Sequence, residues 1–166
     1  MSLVKVRKIE EGDIPFITNS SYESIKEGME QAGGGITLNT RNYRSSMKAL
    51  HQYWLSQCEI RILCDKEVPD MILGYCVLQE VEPGRVGVWH TYVKQAYRRQ
   101  GMAKLLLRPT EDYDKVTVYF PTQSLFKVKN RKHSITPETQ ELLDKLELST
   151  AYEFIGQVRE DRGIKL

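Results

Sequence analysis

The sequence lacks the features that mark a membrane-spanning, disulfide-stabilised or zinc-binding protein. No apolar run approaches the length needed to cross a bilayer, and no signal peptide opens the chain. The 3 cysteines, Cys58, Cys64 and Cys76, are odd in number, lie in or beside apolar strand-like segments and show no C-x-x-C spacing. They predict reduced, buried thiols and no metal site, in a cytoplasmic protein without a membrane partner.

The chain also lacks a strong excess of charge of one sign. Its net charge of +2 is too small to indicate a nucleic-acid partner by itself, although 28% of the 166 residues are charged. With 40% hydrophobic residues, a chain of this length can bury a core without disulfides or metals. We therefore expect one domain over residues 1–166. The sequence leaves the oligomeric state open, a homodimer included.

The first third of the sequence predicts one strand and two helices. Residues 4–9 alternate apolar and polar side chains, as a half-buried strand does. Asp13 can cap a following helix whose apolar residues recur at near-helical spacing: Ile14, Ile17, Ile25 and Met29. The glycine triplet at 33–35 interrupts this pattern and predicts a mobile loop. A second helix begins near Asn39 or Thr40 and has one apolar face, made by Tyr43, Met47, Leu50 and Trp54.

Three strands and a short helix are predicted next. Segments 59–64, 71–78 and 86–93 are rich in β-branched and aromatic residues and are joined by turn sequences, which indicates an antiparallel meander. The segment 71–78 is apolar almost throughout, so its strand should be central and covered on both faces. Residues 102–107 are strong helix formers, and Pro109 should end or kink their helix by about Arg108 because proline removes a hydrogen bond and clashes one turn back.

The last third predicts a strand over 115–121 and a helix that Thr136 and Pro137 begin. Residues 151–158 would end this helix or form a final strand. The helix would bury three leucines: Leu142, Leu143 and Leu146.

These signals together predict an α/β (α+β) fold with three layers in the order αβα. The central layer would be a mixed, mostly antiparallel, twisted sheet of six or seven strands. A central apolar strand requires cover on both faces, so we expect the first two helices on one face and the later helices on the other.

The stretch that organises the chain runs from Ile72 to Leu107, and its centre is the turn at 98–103, between a strand and a helix. The first backbone N–H groups of a helix have no partner within it, so such a turn can bind an anion. Gly101 has no Cβ and lets a ligand approach the backbone closely, while Arg98, Arg99 and Lys104 add positive charge. The alternative is an ordinary strand-to-helix corner with solvated arginines.

The pattern Arg98-x-x-Gly101-x-Ala103 resembles the Q/R-x-x-G-x-G/A signature of the GNAT superfamily of acyl-CoA-dependent N-acyltransferases. The order of predicted elements up to this helix is also that of the family. The resemblance implies acetyl-CoA as co-substrate, with strand residues Thr91, Tyr92 and Val93 against its pantetheine. It further implies that the pyrophosphate lies on the turn and the start of the helix, at Arg98, Arg99, Gln100, Gly101, Met102, Ala103 and Lys104.

The chemistry that the resemblance implies is direct attack of an amine on the thioester carbonyl, polarised by a backbone N–H of the strand. Tyr152 occupies a Tyr-Glu-Lys-Leu-Gly-Phe-like pattern and would protonate the departing thiolate. A tyrosine packed in a C-terminal strand is the alternative. No general base is assigned, because strand alternation places Gly87, Trp89 and Thr91 on one face and His90 on the other, where a structural role is expected. Glu80 and Glu82 are expected to be exposed.

The acyl acceptor is not identified by the sequence. The loop at 33–35 and the helix 39–57 occupy the region that shapes the acceptor site in the family, and a small amine or a protein lysine or N-terminus fits equally well. The rival hypothesis is a catalytically inactive module that contacts nucleic acid or an acidic partner through the basic run 126–133. A charge run is more often a solvated surface, and this one has few aromatic residues, which disfavours nucleic acid.

Overall fold

The computed structural model describes residues 3–32, 40–119 and 146–148. Two short 3₁₀ helices flank the turn of interest, at Gln95–Tyr97 and Arg108–Asp112, and a third precedes the first α-helix, at Glu11–Asp13. The main elements in chain order are β1 (Val4–Lys8), α1 (Ile14–Ala32), α2 (Thr40–Gln57), β2 (Glu59–Asp65), β3 (Ile72–Glu82), β4 (Arg85–Val93), α3 (Met102–Leu106), β5 (Lys115–Val118) and β6 (Leu146–Leu148).

The strands form one mixed sheet in sequence order, β1-β2-β3-β4-β5-β6. Strands β1 to β4 pair antiparallel as the predicted meander, and β5 and β6 add parallel strands at one edge. The prediction of a mixed, mostly antiparallel sheet is therefore confirmed. The apolar strand β3 lies between two neighbours and is buried over its first seven residues, as its sequence indicates.

Helices cover both faces of the sheet. On one, which we call the α1/α2 face, Ile17 of α1 and Met47 and Trp54 of α2 pack against Ile62 and Tyr75 of the sheet. On the other, the α3 face, Leu106 packs in a second cluster that contains the following sheet residues: Leu63, Leu73, Cys76, Val88 and Val116. The predicted division of helices between the two faces is confirmed for α1, α2 and α3. Within the described ranges, no helix is long and apolar enough to span a membrane.

The early end of α3 follows from Pro109, as predicted. The helix stops at Leu106, and Pro109 lies in the 3₁₀ turn that continues the chain. The Leu106 carbonyl at the helix end accepts hydrogen bonds from Arg61 Nε at 3.0 Å and Cys76 Sγ at 3.4 Å. These donors replace the amide donors that a longer helix would supply, and they anchor α3 to β2 and β3.

Three expectations change in the structure. The prediction that Leu146 belongs to a helix is wrong, because Leu146–Leu148 forms a strand that pairs parallel with β5. This pairing outweighs the helical propensity of the segment. Asp13 does not cap α1 but lies in the preceding 3₁₀ turn, where its carboxylate accepts from the Glu10 N–H at 2.8 Å. Cys58 is only partly buried, whereas Cys64 and Cys76 are buried, and all three are free thiols.

Candidate functional site

The turn between β4 and α3 has two residues in the left-handed backbone region. Arg99 has φ 65° and Gly101 has φ 79°. Gly101 adopts this conformation at little cost, but it is uncommon for a residue with a side chain such as Arg99. Left-handed residues in a short loop turn successive N–H groups toward one side, which creates a concave group of donors.

The donors of this turn are unpaired within the part of the chain that the structure describes. None of the backbone N–H groups from Arg99 to Lys104 donates there, and the first α-helical bond is from Leu105 N to Gly101 O at 3.1 Å. A Cβ placed on Gly101 would meet no atom of the described residues within 4 Å, so among them the space beside it is open. The geometry of the turn is therefore compatible with the predicted anion site, which stays a prediction.

An open cleft of about 430 Å³ runs along α3. Gly101 and Gln100 are among its lining residues, and the exposed side chains of Lys104 and Arg108 supply positive charge, partly balanced by Glu111. The apolar part of the lining comes from Val4, Met102 and Leu105. This volume can hold part of a nucleotide-sized ligand. Four of the predicted cofactor-binding residues thus share one cleft: Gln100, Gly101, Met102 and Lys104.

Arg98 is placed differently from the expectation that it adds charge around a bound anion. Its Nε donates a 2.7 Å hydrogen bond to the carbonyl of Val93, the last residue of β4. The guanidinium carbon lies 5.8 Å from the centre of the Tyr92 ring. Arg99 and Ala103, the other predicted residues of the turn, are exposed.

The strand residues Thr91, Tyr92 and Val93 divide between the two faces of the sheet. Val93 is buried in the α3-face cluster. Tyr92 packs on the α1/α2 face, 5.7 Å from the Tyr75 ring in a stacked arrangement and 5.9 Å from the Phe16 ring. Thr91 lies opposite Cys76 in the ladder, and its Oγ1 is buried without a hydrogen-bond partner in the described residues. The end of β4 is therefore held rigidly on both sides.

A β-bulge in β4 overturns the predicted orientation of His90. Val77 pairs with His90, but the next residue, Leu78, pairs with Val88, so Trp89 is an extra residue on β4. Trp89 and His90 both point to the α1/α2 face, whereas alternation predicted opposite faces. Beyond the bulge the alternation is inverted, so Thr91 does not share a face with Trp89.

A buried polar cluster between α1, α2 and the sheet was not found by sequence reasoning. His51 Nε2 and Ser21 Oγ lie 2.7 Å apart, and Tyr75 Oη and Ser20 Oγ lie 2.9 Å apart. His90 stacks on Trp54 with ring centres 6.2 Å apart, and both of its ring nitrogens lack a partner in the described residues. One signal was available: His51 follows Met47 by four residues and so shares the apolar face of α2.

Burial keeps both histidines of this cluster neutral. It lowers the pKa of His51 to about 4. It lowers the pKa of His90 to about 3, and the nearby His51 lowers it further in the same direction. His90 is 2% exposed, so it cannot reach a substrate as a general base. The structural role expected for His90 agrees with this burial, and Glu80 and Glu82 are exposed, as predicted.

Several predicted features lie outside the described residues. They are the catalytic candidate Tyr152, the glycine triplet at 33–35, the basic run 126–133, and the helix predicted from Thr136 with Leu142 and Leu143. Their roles stay predictions.

Sequence comparison assigns the class of protein to which this fold and turn belong. The model of the acetyltransferase (GNAT) family matches residues 34–116, half of the chain and including the turn at 98–103. The chain belongs to the GNAT family of acetyltransferases. A comparison with curated proteins gave no match.

Solved structures agree on the fold. The chain is similar to a GCN5-related N-acetyltransferase from Ralstonia eutropha, with a TM-score of 0.56, 12% identity, and coverage of 81% of this chain and 94% of that one. It is also similar to a putative acetyl transferase from Pyrococcus furiosus, with a TM-score of 0.53, 13% identity, and coverage of 80% and 95%. It is also similar to a Corynebacterium glutamicum protein described as histone acetyltransferase HPA2 and related acetyltransferase. The TM-score is 0.53 and the identity 14%, with coverage of 78% of this chain and 83% of that one. At these identities the likeness shows the GNAT fold.

Proposed function

We propose that this protein transfers the acetyl group of acetyl-CoA to a primary amine by direct attack of the amine on the thioester. The observation that carries the proposal is the turn itself, whose N–H groups from Arg99 to Lys104 have no partner among the described residues and border the open space beside Gly101. A diphosphate is the part of CoA that such a donor group suits. Membership of the GNAT family supports acyl transfer as the chemistry.

The residues of this chain contribute binding, orientation and polarity. The cleft along α3 would hold the nucleotide end of acetyl-CoA, with Lys104 and Arg108 near its phosphates. The pantetheine would follow the end of β4, where a backbone N–H can polarise the thioester carbonyl and stabilise the oxyanion that forms when the amine attacks. The thiolate leaves as the carbon–sulfur bond breaks, and Tyr152 would return a proton to it. In place of a general base, an ordered water relay would take the proton of the amine, or the amine would arrive already deprotonated.

The acceptor is a primary amine of either of two kinds, a small molecule or a lysine or N-terminus of a protein. The segment that includes α2 would shape its site. Screening acetyl transfer against polyamines, aminoglycosides, amino acids and peptides separates the two kinds of acceptor. If only large proteins are acetylated, a small-molecule acceptor is excluded. Tyr152→Phe should lower the rate of acetyl transfer without changing acetyl-CoA affinity.

Calorimetric titration with acetyl-CoA tests the proposal on three proteins. The wild type should bind, and Gly101→Glu should lose measurable binding because the side chain fills the open space and adds negative charge next to a diphosphate. Gly84→Ala is the control, because Gly84 has φ 81°, close to that of Gly101, but lies in the turn between β3 and β4. It reproduces the backbone strain and should bind normally.

Two results would defeat the proposal. One is a wild-type protein that shows no binding at about 1 mM acetyl-CoA, an affinity of about −4 kcal/mol or weaker. The other is full binding by Gly101→Glu. Salt-sensitive binding to nucleic acid in a protein that ignores acetyl-CoA would favour the rival module with the basic run 126–133.

A further inference from the structure

The side chain of Arg98 connects the turn to the end of β4. Its Nε–H bonds to the Val93 carbonyl at the end of β4 at 2.7 Å, which is short for a nitrogen donor and typical of a charge-assisted bond. The Lys94 N–H, one residue further, bonds to Leu73 O of β3 at 2.8 Å. Together these bonds fix the point where the chain leaves the sheet, and Arg98 fixes the turn to that point.

The charged end of Arg98 lies away from the cleft. Its guanidinium lies over the ring of Tyr92, and that ring packs with Phe16 and Tyr75 on the α1/α2 face. The cleft follows α3 instead, whose residues Met102 and Leu105 pack on the α3 face. A diphosphate in the cleft would therefore have Lys104 and Arg108 beside it, whereas Arg98 is not among the residues that line the cleft.

We propose that Arg98 is a positioning residue: its Nε–H holds the Val93 carbonyl and so fixes the turn in the form that presents its backbone N–H groups, and it is not a charged ligand of the phosphates. This inference rests on the proposed function for its ligand. The hydrogen bond itself concerns the ligand-free protein, so it can be tested separately.

Three substitutions distinguish an N–H donor from a charge. In glutamine the side-chain nitrogen is the same number of bonds from Cα as Nε of arginine, so Arg98→Gln keeps the donor and removes the charge. In lysine a methylene occupies that position and the ammonium lies one bond further, so Arg98→Lys keeps the charge and misplaces the donor. Arg98→Met removes both but keeps an unbranched side chain.

Calorimetry with acetyl-CoA at two salt concentrations gives the first measurement. We expect the Kd of Arg98→Gln to stay within about threefold of wild type. The Kd values of Arg98→Lys and Arg98→Met should rise about tenfold or more, because each variant loses the hydrogen bond that the charged guanidinium donates. Lys104→Gln is the control for a charge near the phosphates, and it alone should weaken the salt dependence of binding. Near wild-type affinity for Arg98→Lys with a large loss for Arg98→Gln would overturn the inference. Equal affinities of the wild type and all three Arg98 variants would also overturn it.

Hydrogen exchange in the ligand-free protein gives the second measurement. Arg98 and Arg99 are both exposed residues, but within the described residues only the Nε–H of Arg98 is held in a hydrogen bond. It should therefore exchange with solvent at least about tenfold more slowly than the Nε–H of Arg99. The amide of Leu105, which bonds to Gly101 O, should exchange faster in Arg98→Met but not in Arg98→Gln. Equal exchange of the two arginine protons would overturn the inference. If the wild type fails to bind acetyl-CoA, the proposed function fails and this measurement still decides the role of Arg98.

Discussion

At the scale of single residues, two glycines of the sheet differ in the atoms that an added Cβ would meet. A Cβ on Gly74 would lie 2.5 Å from the backbone oxygen of Tyr92, at the end of β4, and backbone cannot move without shifting the strand. A Cβ on Gly87 would lie 2.7 Å from Cε2 of Tyr119, the far end of a partly exposed ring that can rotate. The same added methyl group should therefore have unequal costs.

We predict that Gly74→Ala lowers the free energy of unfolding by about 1–3 kcal/mol, the typical cost of overpacking a fixed core. Gly87→Ala should cost less than half as much. Urea unfolding followed by circular dichroism measures both. Because Gly74 pairs with Val93, the residue that Arg98 holds, Gly74→Ala should also weaken acetyl-CoA binding, whereas Gly87→Ala should not. Equal losses of stability in the two variants would contradict this account of the β3–β4 contact.

At the scale of elements, the ion pair of Arg7 and Asp13 joins β1 to the start of α1. Two guanidinium nitrogens contact the two carboxylate oxygens at 2.7 and 2.9 Å, and the same guanidinium donates to Pro69 O at 3.1 Å. The side chains are 12% and 6% exposed, so water screens the pair only in part. The hydrogen bonds from Arg7 hold the pKa of Asp13 below its usual range.

We predict that Asp13→Asn lowers the free energy of unfolding by up to about 3 kcal/mol, because Arg7 loses its bidentate carboxylate and keeps only the more distant and exposed Glu10, at 3.8 Å. Glu11→Gln, in the same 3₁₀ turn but exposed, should change it by less than about 0.5 kcal/mol. Asp13 has a lower pKa in the folded state, so its contribution is complete above the unfolded pKa of about 3.9 and is lost as the pH falls through the folded value. Urea unfolding at neutral and acidic pH measures this, and an Asp13→Asn variant as stable as wild type would refute it.

The elements that sequence reasoning predicted are those whose signals are local. The helices α1 and α2 have an apolar stripe, and Pro109 marks the end of α3 by its own chemistry. The bulge at Trp89 was missed, because an extra residue on β4 is defined only by the register of its partner β3. The strand at Leu146 was missed for a similar reason, since a three-residue strand exists only through its neighbour β5.

The candidate site shows the same limit. The sequence predicted an anion-binding turn at 98–103, since glycine and basic residues between a strand and a helix are a local pattern typical of anion sites. It could not predict that Arg98 bonds back to Val93, five positions earlier, because only the path of the chain between them decides whether the guanidinium reaches that carbonyl or faces a ligand. The orientation of His90 depended on the bulge and was wrong for that reason.

At the scale of the whole molecule, acid should destabilise the fold through its buried histidines. His51 and His90 connect α1, α2 and the sheet, through the contact of His51 with Ser21 and the stacking of His90 on Trp54. Their pKa values of about 4 and about 3 in the folded protein lie below the value of about 6.5 in an unfolded chain. Below about pH 6.5 the unfolded state therefore binds protons that the folded state does not.

We predict that the free energy of unfolding decreases as the pH falls from about 6.5 toward 4, by up to about 1.4 kcal/mol per pH unit for each histidine. His90→Phe removes one titrating group and keeps a ring to stack on Trp54, so the difference in stability between about pH 7 and pH 5 should shrink by up to about 2 kcal/mol. His51→Gln should shrink it similarly, whatever either variant does to stability at neutral pH. Urea unfolding at both pH values measures the difference. A pH dependence in His90→Phe as steep as that of the wild type would show that His90 is not buried in its neutral form, and the packing of α2 on β4 would then have to differ from the one described.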